Sequence, residues 1–285
     1  MSIELTTKFS PHVDEIFTAE SKKSLITNQD YSWDGAHSIK IYKVGVVDMT
    51  DYDRNGVKGG ISRYGDVKDL DAVTEEKTLS RDRSFTFVID RLDEDETQQA
   101  VNAASALARQ IRQVVIPEVD AYTYGVMCEY AGHKPEAATI TYDNIYTMLL
   151  EANKALDDNL VPETGRYIIV APEVYTTMKK CPDITMETNI GNEMRLKGVI
   201  GTLDGCGVIK VPASRLPENF GFMVCHPVAT VAPAKLESYK THRDPPGISG
   251  SLVEGRICYD AFVLDNKATA IYYQAQETEQ AQETE

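Results

Sequence analysis

Residues 93 to 131 constrain the chain more than any other stretch, because their apolar positions call for a helix longer than a small core needs. Val101, Ala104, Leu107, Ala108, Ile111, Val114, Val115, Val119, Tyr122 and Val126 recur at three- and four-residue steps, the spacing of one helical face. Gln99, Arg109, Arg112, Gln113 and Asp120 mostly fall elsewhere on the wheel. Asp93 and Glu96 form a capping pair, and with Glu94 and Asp95 they set negative charge at the positive end of the helix dipole. Gly132 supplies a stop signal. At 1.5 Å per residue the element would span roughly 55 Å. Pro117 lacks a backbone donor and crowds the preceding turn, which predicts a kink or two collinear helices there.

Before this helix the pattern is looser. Residues 1–38 carry scattered apolar anchors, among them Phe9, Val13, Ile16, Phe17, Ile26 and Trp33, and read as an arm that docks, with a frayed tail as the alternative. Two β-type runs follow, 39–47 and 83–90, expected to pair as a hairpin. Between them, residues 48–82 are rich in charge and glycine. Connections beyond about 15 residues are uncommon in compact domains and usually functional or disordered, and this one is expected to reach for a partner.

After the helix, residues 141–160 repeat an amphipathic pattern through Ile145, Leu149, Ala152, Leu156 and Leu160. Residues 167–171 read as a buried strand, Pro172 starts a helix through Met178, and the glycines of 198–211 mark a hairpin. Residues 221–225 form another short strand. From Pro227 the chain becomes strand-rich, over 229–232, 235–239, 252–264 and 269–273. The end repeats AQETE in a polar stretch, 275–285, that can bury nothing and is expected to be solvated. The fold class is α+β.

Charge and chemistry narrow the function. A net charge of -15 excludes a protein that holds nucleic acid through a dense basic face. No run approaches the ~20 apolar residues of a membrane span, and the first residues hold no apolar signal core, so the expectation is a protein made in the cytosol without a membrane partner. Five scattered cysteines without a Cys-x-x-Cys pair point to reduced, mostly buried thiols.

The motif Asp51-Tyr52-Asp53-Arg54-Asn55-Gly56 matches the opening of a calcium loop, in which oxygens at alternate positions wrap a hard cation. Its twelfth position is Ser62 where a bidentate Glu belongs, and strands flank it, so the reading is a loop tip held by Asp and Asn side chains. The glycines at 198, 201, 205 and 207 have the wrong spacing for a phosphate cradle. Cys225 and His226 are neighbours on a strand and point to opposite faces, so they form no nucleophile and base pair. No catalytic residue, cofactor site or metal site is expected.

Specific runs carry a family likeness. KFSPHVDEIF near the start, DYDRNG followed by RYGDV, TLSRDRSFTFVID, the helix ending VVIPEVDAY and the closing GRICYDAFVLDNKATAIYY resemble a major capsid protein family from tailed bacteriophages, with the Hong Kong 97 type fold. The likeness covers most of residues 8–273. It implies an N-terminal arm (1–38), an extended β-hairpin loop (39–91), a peripheral domain with a spine helix (92–139), an axial domain (140–225), a return to the peripheral domain (226–274) and the acidic tail (275–285). It also implies a structural protein that assembles through hexamers and pentamers into an icosahedral shell around double-stranded DNA. Partners would be other copies of the chain, a separate scaffolding protein, a portal protein and decoration proteins. The expected subunit contacts are Trp33, Asp51, Asp53, Arg54, Asn55, Arg63 and Tyr64. No covalent cross-link is expected, since no motif pairs Lys58, Lys68 or Lys77 with a partner. An encapsulin-like compartment shares the fold and differs in what it encloses; an enzyme is the rival of a different class.

Overall fold

A computed structural model describes residues 20–30, 38–44, 46–54, 62–64, 68–69, 72–92, 103–182, 184 and 199–277. The chain divides into two units, Trp33–Ser80 and the remainder, Met1–Ser32 with Arg81–Glu285.

The long helix is present. It runs through α-helical Ala103–Gln110, π-helical Ile111–Val115 and α-helical Ile116–Glu129. The junction residues Gln110 and Ile116 keep helical dihedrals, so the axis continues through them for roughly 40 Å over the described span. The irregularity expected at Pro117 takes the form of a π turn immediately before it. A proline ring clashes with the carbonyl four residues back, and the wider π turn accommodates it. The acidic start of the helix, residues 93–96, lies outside the described residues.

Gly132 does not end the helix through a left-handed backbone. Tyr130 already caps it, its N–H donating to the carbonyl of Val126. Gly132 instead passes against another segment: its N–H donates to the Ala268 carbonyl at 2.9 Å, and a Cβ there would lie 2.6 Å from the Ala268 backbone. We expect Gly132→Ala to lower stability by about 1–3 kcal/mol, the range for overpacking, measured as a drop in denaturation midpoint with unchanged denaturant slope.

In the larger unit the main core surrounds a five-stranded sheet ordered β12-β7-β4-β6-β5. These strands are β4 (Tyr167–Val170), β5 (Val199–Leu203), β6 (Cys206–Lys210), β7 (Phe220–Cys225) and β12 (Ile271–Ala275). All six residues of β7 are buried, as a central strand covered on both faces requires. Leu149, Ala152 and Leu156 of helix Ile145–Asp158, Val174 and Met178 of helix Pro172–Lys180, and Tyr124 and Met127 of the long helix pack in the same core. The β5–β6 hairpin turns on Asp204 (φ 52°) and Gly205 (φ 75°), a pair of positive φ values that matches the right-handed strand twist.

A second sheet is ordered β3-β10-β9, from β3 (Arg81–Asp90), β9 (Ala234–Arg243) and β10 (Gly250–Tyr259). Val115 and Val119 of the long helix pack there on Ile257 and Tyr259. Opposite Phe85 stands Gly255, whose missing side chain lets the Phe85 ring cross the strand and stack with Tyr239 at 6.2 Å.

Two strand expectations are corrected. The runs 39–47 and 83–90 do not pair with each other: β1 (Ser38–Val44) pairs with β2 (Ala72–Thr78), and β3 pairs with β10. The charges of β2, AVTEEKT, hide it from an alternation reading, and the true partner of β3 lies far along the chain. The returning strands of 226–274 also divide. While β9 and β10 join β3, β12 pairs with β7 as an edge of the five-stranded sheet.

Candidate assembly surfaces

Within the unit Trp33–Ser80, the β1–β2 ladder carries Glu75 beside Lys43 (2.8 Å) and Lys77 (2.5 Å), charges of opposite sign across and along the strands. At the tip, the N–H of Asp53 donates to the Arg63 carbonyl at 3.1 Å and the Thr50 hydroxyl donates to the Tyr64 carbonyl at 2.7 Å. Tyr64 N–H donates to the Ser62 hydroxyl, and the Tyr52 and Tyr64 rings meet edge to face at 5.0 Å. Asp53, Arg63 and Tyr64 are therefore brought together, with Asp51 and Arg54 exposed nearby in the chain. Asn55 and Trp33 lie outside the described residues. The hydroxyls of Thr50 and Ser62 help close this turn. Among the described residues no cluster of three or more acidic, His or Cys side chains could hold a metal.

The same loop exposes apolar side chains. Val46 is 93% exposed, Met49 99% and Tyr64 77%. Leaving such groups in water is unfavourable by roughly 1.5–3 kcal/mol each relative to full burial, so the loop is suited to being covered. Val46 and Met49 were absent from the expected contact set; their signal was the run VGVVDM, which carries apolar residues beyond the end of β1.

The described part of the arm, residues 20–30, is locked to the larger unit. Ile26 is fully buried in the main core, and the Asn28 N–H donates to the Thr230 carbonyl at 2.7 Å. Ser21 Oγ donates to Asp120 Oδ1 at 2.7 Å, and Arg215 donates to Asp120 Oδ2 at 2.8 Å. Lys22 Nζ reaches the Lys210 carbonyl at 3.2 Å. Asp120, expected away from the apolar face of the helix, is thus buried with Arg215, at 2% and 4% exposure. Burial pushes its carboxyl up, while the bonds from Ser21 and Arg215 pull it back.

The long helix is also fastened to the three-stranded sheet. Glu118 accepts from Arg83 at 2.7 Å and from the Tyr259 hydroxyl at 3.1 Å, while Tyr122 donates to the buried Asp260 at 2.7 Å. Cys225 ends the buried strand β7, and His226 follows it. Burial pushes the Cys225 thiol far above its usual value. His226 is half-buried, its Nδ1 accepting from the Val228 N–H and its Nε2 facing the Thr164 carbonyl, both at 3.2 Å. Burial lowers its pKa, and a neutral ring with the proton on Nε2 satisfies both bonds.

A sequence model of the family described as phage capsid protein matches residues 73–273. The chain belongs to the phage capsid protein family. It is a structural, non-enzymatic major capsid protein with the Hong Kong 97 type fold. Among solved structures, one titled Mycobacterium phage Che8 shares 18% identity over 95% of this chain and 96% of its own, with a TM-score of 0.74. The asymmetric unit of the bacteriophage PhiM1 mature capsid shares 13% over 97% and 93%, at 0.71. A virus-like particle from Pyrococcus furiosus shares 11% over 90% and 92%, at 0.54. No curated protein matches the sequence. These likenesses place the fold, and the family places the capsid protein in the virion shell. No helix among the described residues is long and apolar enough to cross a membrane.

Proposed function

We propose that this capsid protein assembles through hexamers and pentamers, in the cytoplasm of a bacterial host, into a shell that encloses phage double-stranded DNA. The observation that carries the reading is the family match together with a loop that leaves Val46 and Met49 almost fully exposed. Head-to-tail contacts between unlike patches close into rings, and many modest contacts per subunit accumulate into a stable shell. The loop within 39–91, with Asp51, Asp53, Arg54, Asn55, Arg63 and Tyr64, and the arm with Trp33, supply such contacts. The long helix and the sheet β3-β10-β9 form the peripheral domain. The five-stranded sheet, β12 included, forms the axial domain. A net charge of -15 suits a wall, because packaged DNA carries its own counterions. A scaffolding protein directs curvature, a portal protein occupies one vertex and decoration proteins bind the outer face.

Negative-stain electron microscopy with sedimentation tests this reading, on the chain expressed alone and with neighbouring phage genes. Closed shells or five- and six-fold rings are expected with those genes. Monodisperse monomers under both conditions would overturn assembly, and shells that hold a co-purifying enzyme in place of DNA would replace the DNA container with a cargo compartment.

A further inference from the structure

The turn after helix Ile145–Asp158 carries an unusual combination. Leu160 has φ of 56°, a left-handed backbone that favours Gly or Asn, and it is 92% exposed. The turn itself is well made, with Leu160 N–H donating to the Asp157 carbonyl at 2.9 Å and Val161 N–H to the Leu156 carbonyl at 3.1 Å. Glycine would relieve the strain and remove the exposed apolar surface, so leucine here serves neither the turn nor the core of its own chain. Asp158 and Glu163 stand exposed on the same turn.

An opposite patch lies across the same domain. Tyr175, half-buried on helix Pro172–Lys180, has Lys179 Nζ at 5.7 Å and Lys210 Nζ at 5.4 Å from its ring centre. The two patches sit at opposite ends of β4: Arg166 precedes the strand, next to the acidic turn, and Lys210 faces Val170 at its far end. In a chain of net charge -15 this pair of lysines around an aromatic ring is a local exception, and its charge complements the acidic turn.

We propose that Leu160 is a head-to-tail contact that packs against Tyr175 of the next copy, with Asp158 and Glu163 facing Lys179 and Lys210. The inference rests on the shell reading above and names the unlike patches that would meet around an axis. Its test uses the full chain under conditions in which the wild type forms shells or rings. Leu160→Gly is expected to raise the melting temperature of the unassembled subunit by about 2–4 °C and to reduce assembled material by about tenfold. Glu163→Lys and Lys179→Glu should each weaken assembly, and combining both reversals in one chain should restore it. A lower melting temperature for Leu160→Gly would show that the leucine packs within its own chain and overturn the contact. Undiminished assembly of that variant, or a double reversal no better than the single ones, would also overturn it. Failure of the wild type to assemble would be the distinct result that removes the shell reading itself.

Discussion

Deleting residues 51–73 is expected to leave a folded subunit that no longer assembles. Among the described residues, both hydrophobic clusters of the larger unit are built from Leu25, Ile26 and residues from 85 onward, which the deletion leaves in place. What it removes is the loop tip closed by Asp53, Arg63 and Tyr64, with the Tyr52 and Tyr64 rings, and the first two residues of β2, Ala72 and Val73. Many contacts of modest strength act together in a shell, so losing one set from every subunit multiplies across the assembly. Circular dichroism and thermal melting should show a cooperative subunit with a midpoint near that of the wild type, while sedimentation shows no shells or rings. Shells of normal size and yield from the deleted chain would remove the loop from the account of assembly.

Asp120→Ala is expected to destabilise the subunit by about 3–5 kcal/mol, because it leaves the Arg215 guanidinium buried without its carboxylate. The loss extends to the arm, since Ser21 then has no Asp120 to donate to. Two readouts separate these effects. Denaturant unfolding reports the global loss, and limited trypsin digestion reports release of the arm through faster cleavage at Lys22 and Lys23. Replacing the pair by apolar residues, Asp120→Leu with Arg215→Met, should recover most of the global stability, because a packed apolar pair carries no desolvation penalty. Trypsin sensitivity should stay raised in that double variant, as Ser21 still lacks its acceptor. Wild-type stability for Asp120→Ala would mean that the ion pair holds nothing in place.

The elements that were legible in the sequence are those set by neighbours along the chain. Apolar spacing marked the helices at 103–129 and Ile145–Asp158, and Pro172 marked the start of its helix. Glycine chemistry marked the β5–β6 turn, where Asp204 and Gly205 take positive φ. The family likeness rested on short runs of the same local kind. The loop tip was legible as a turn, although its closing hydroxyls, Thr50 and Ser62, were not distinguishable from any other polar residue of the stretch.

Strand partners were another matter. Asp82 and Arg256 form an ion pair 174 residues apart, and nothing near either residue announces the other. Asp120 looked like a solvent-facing charge until Ser21 and Arg215 arrived from separate parts of the chain to bury it. The sequence alone determined the helices at 103–129, Ile145–Asp158 and Pro172–Lys180 and the β5–β6 turn, because backbone sterics and periodic burial act within a few residues. Only the tertiary structure decided that β12 closes the five-stranded sheet, that β2 rather than β3 pairs with β1, and that Asp120 is buried. Those outcomes depend on which surfaces meet across the folded chain, and local pattern carries no information about a partner that distant.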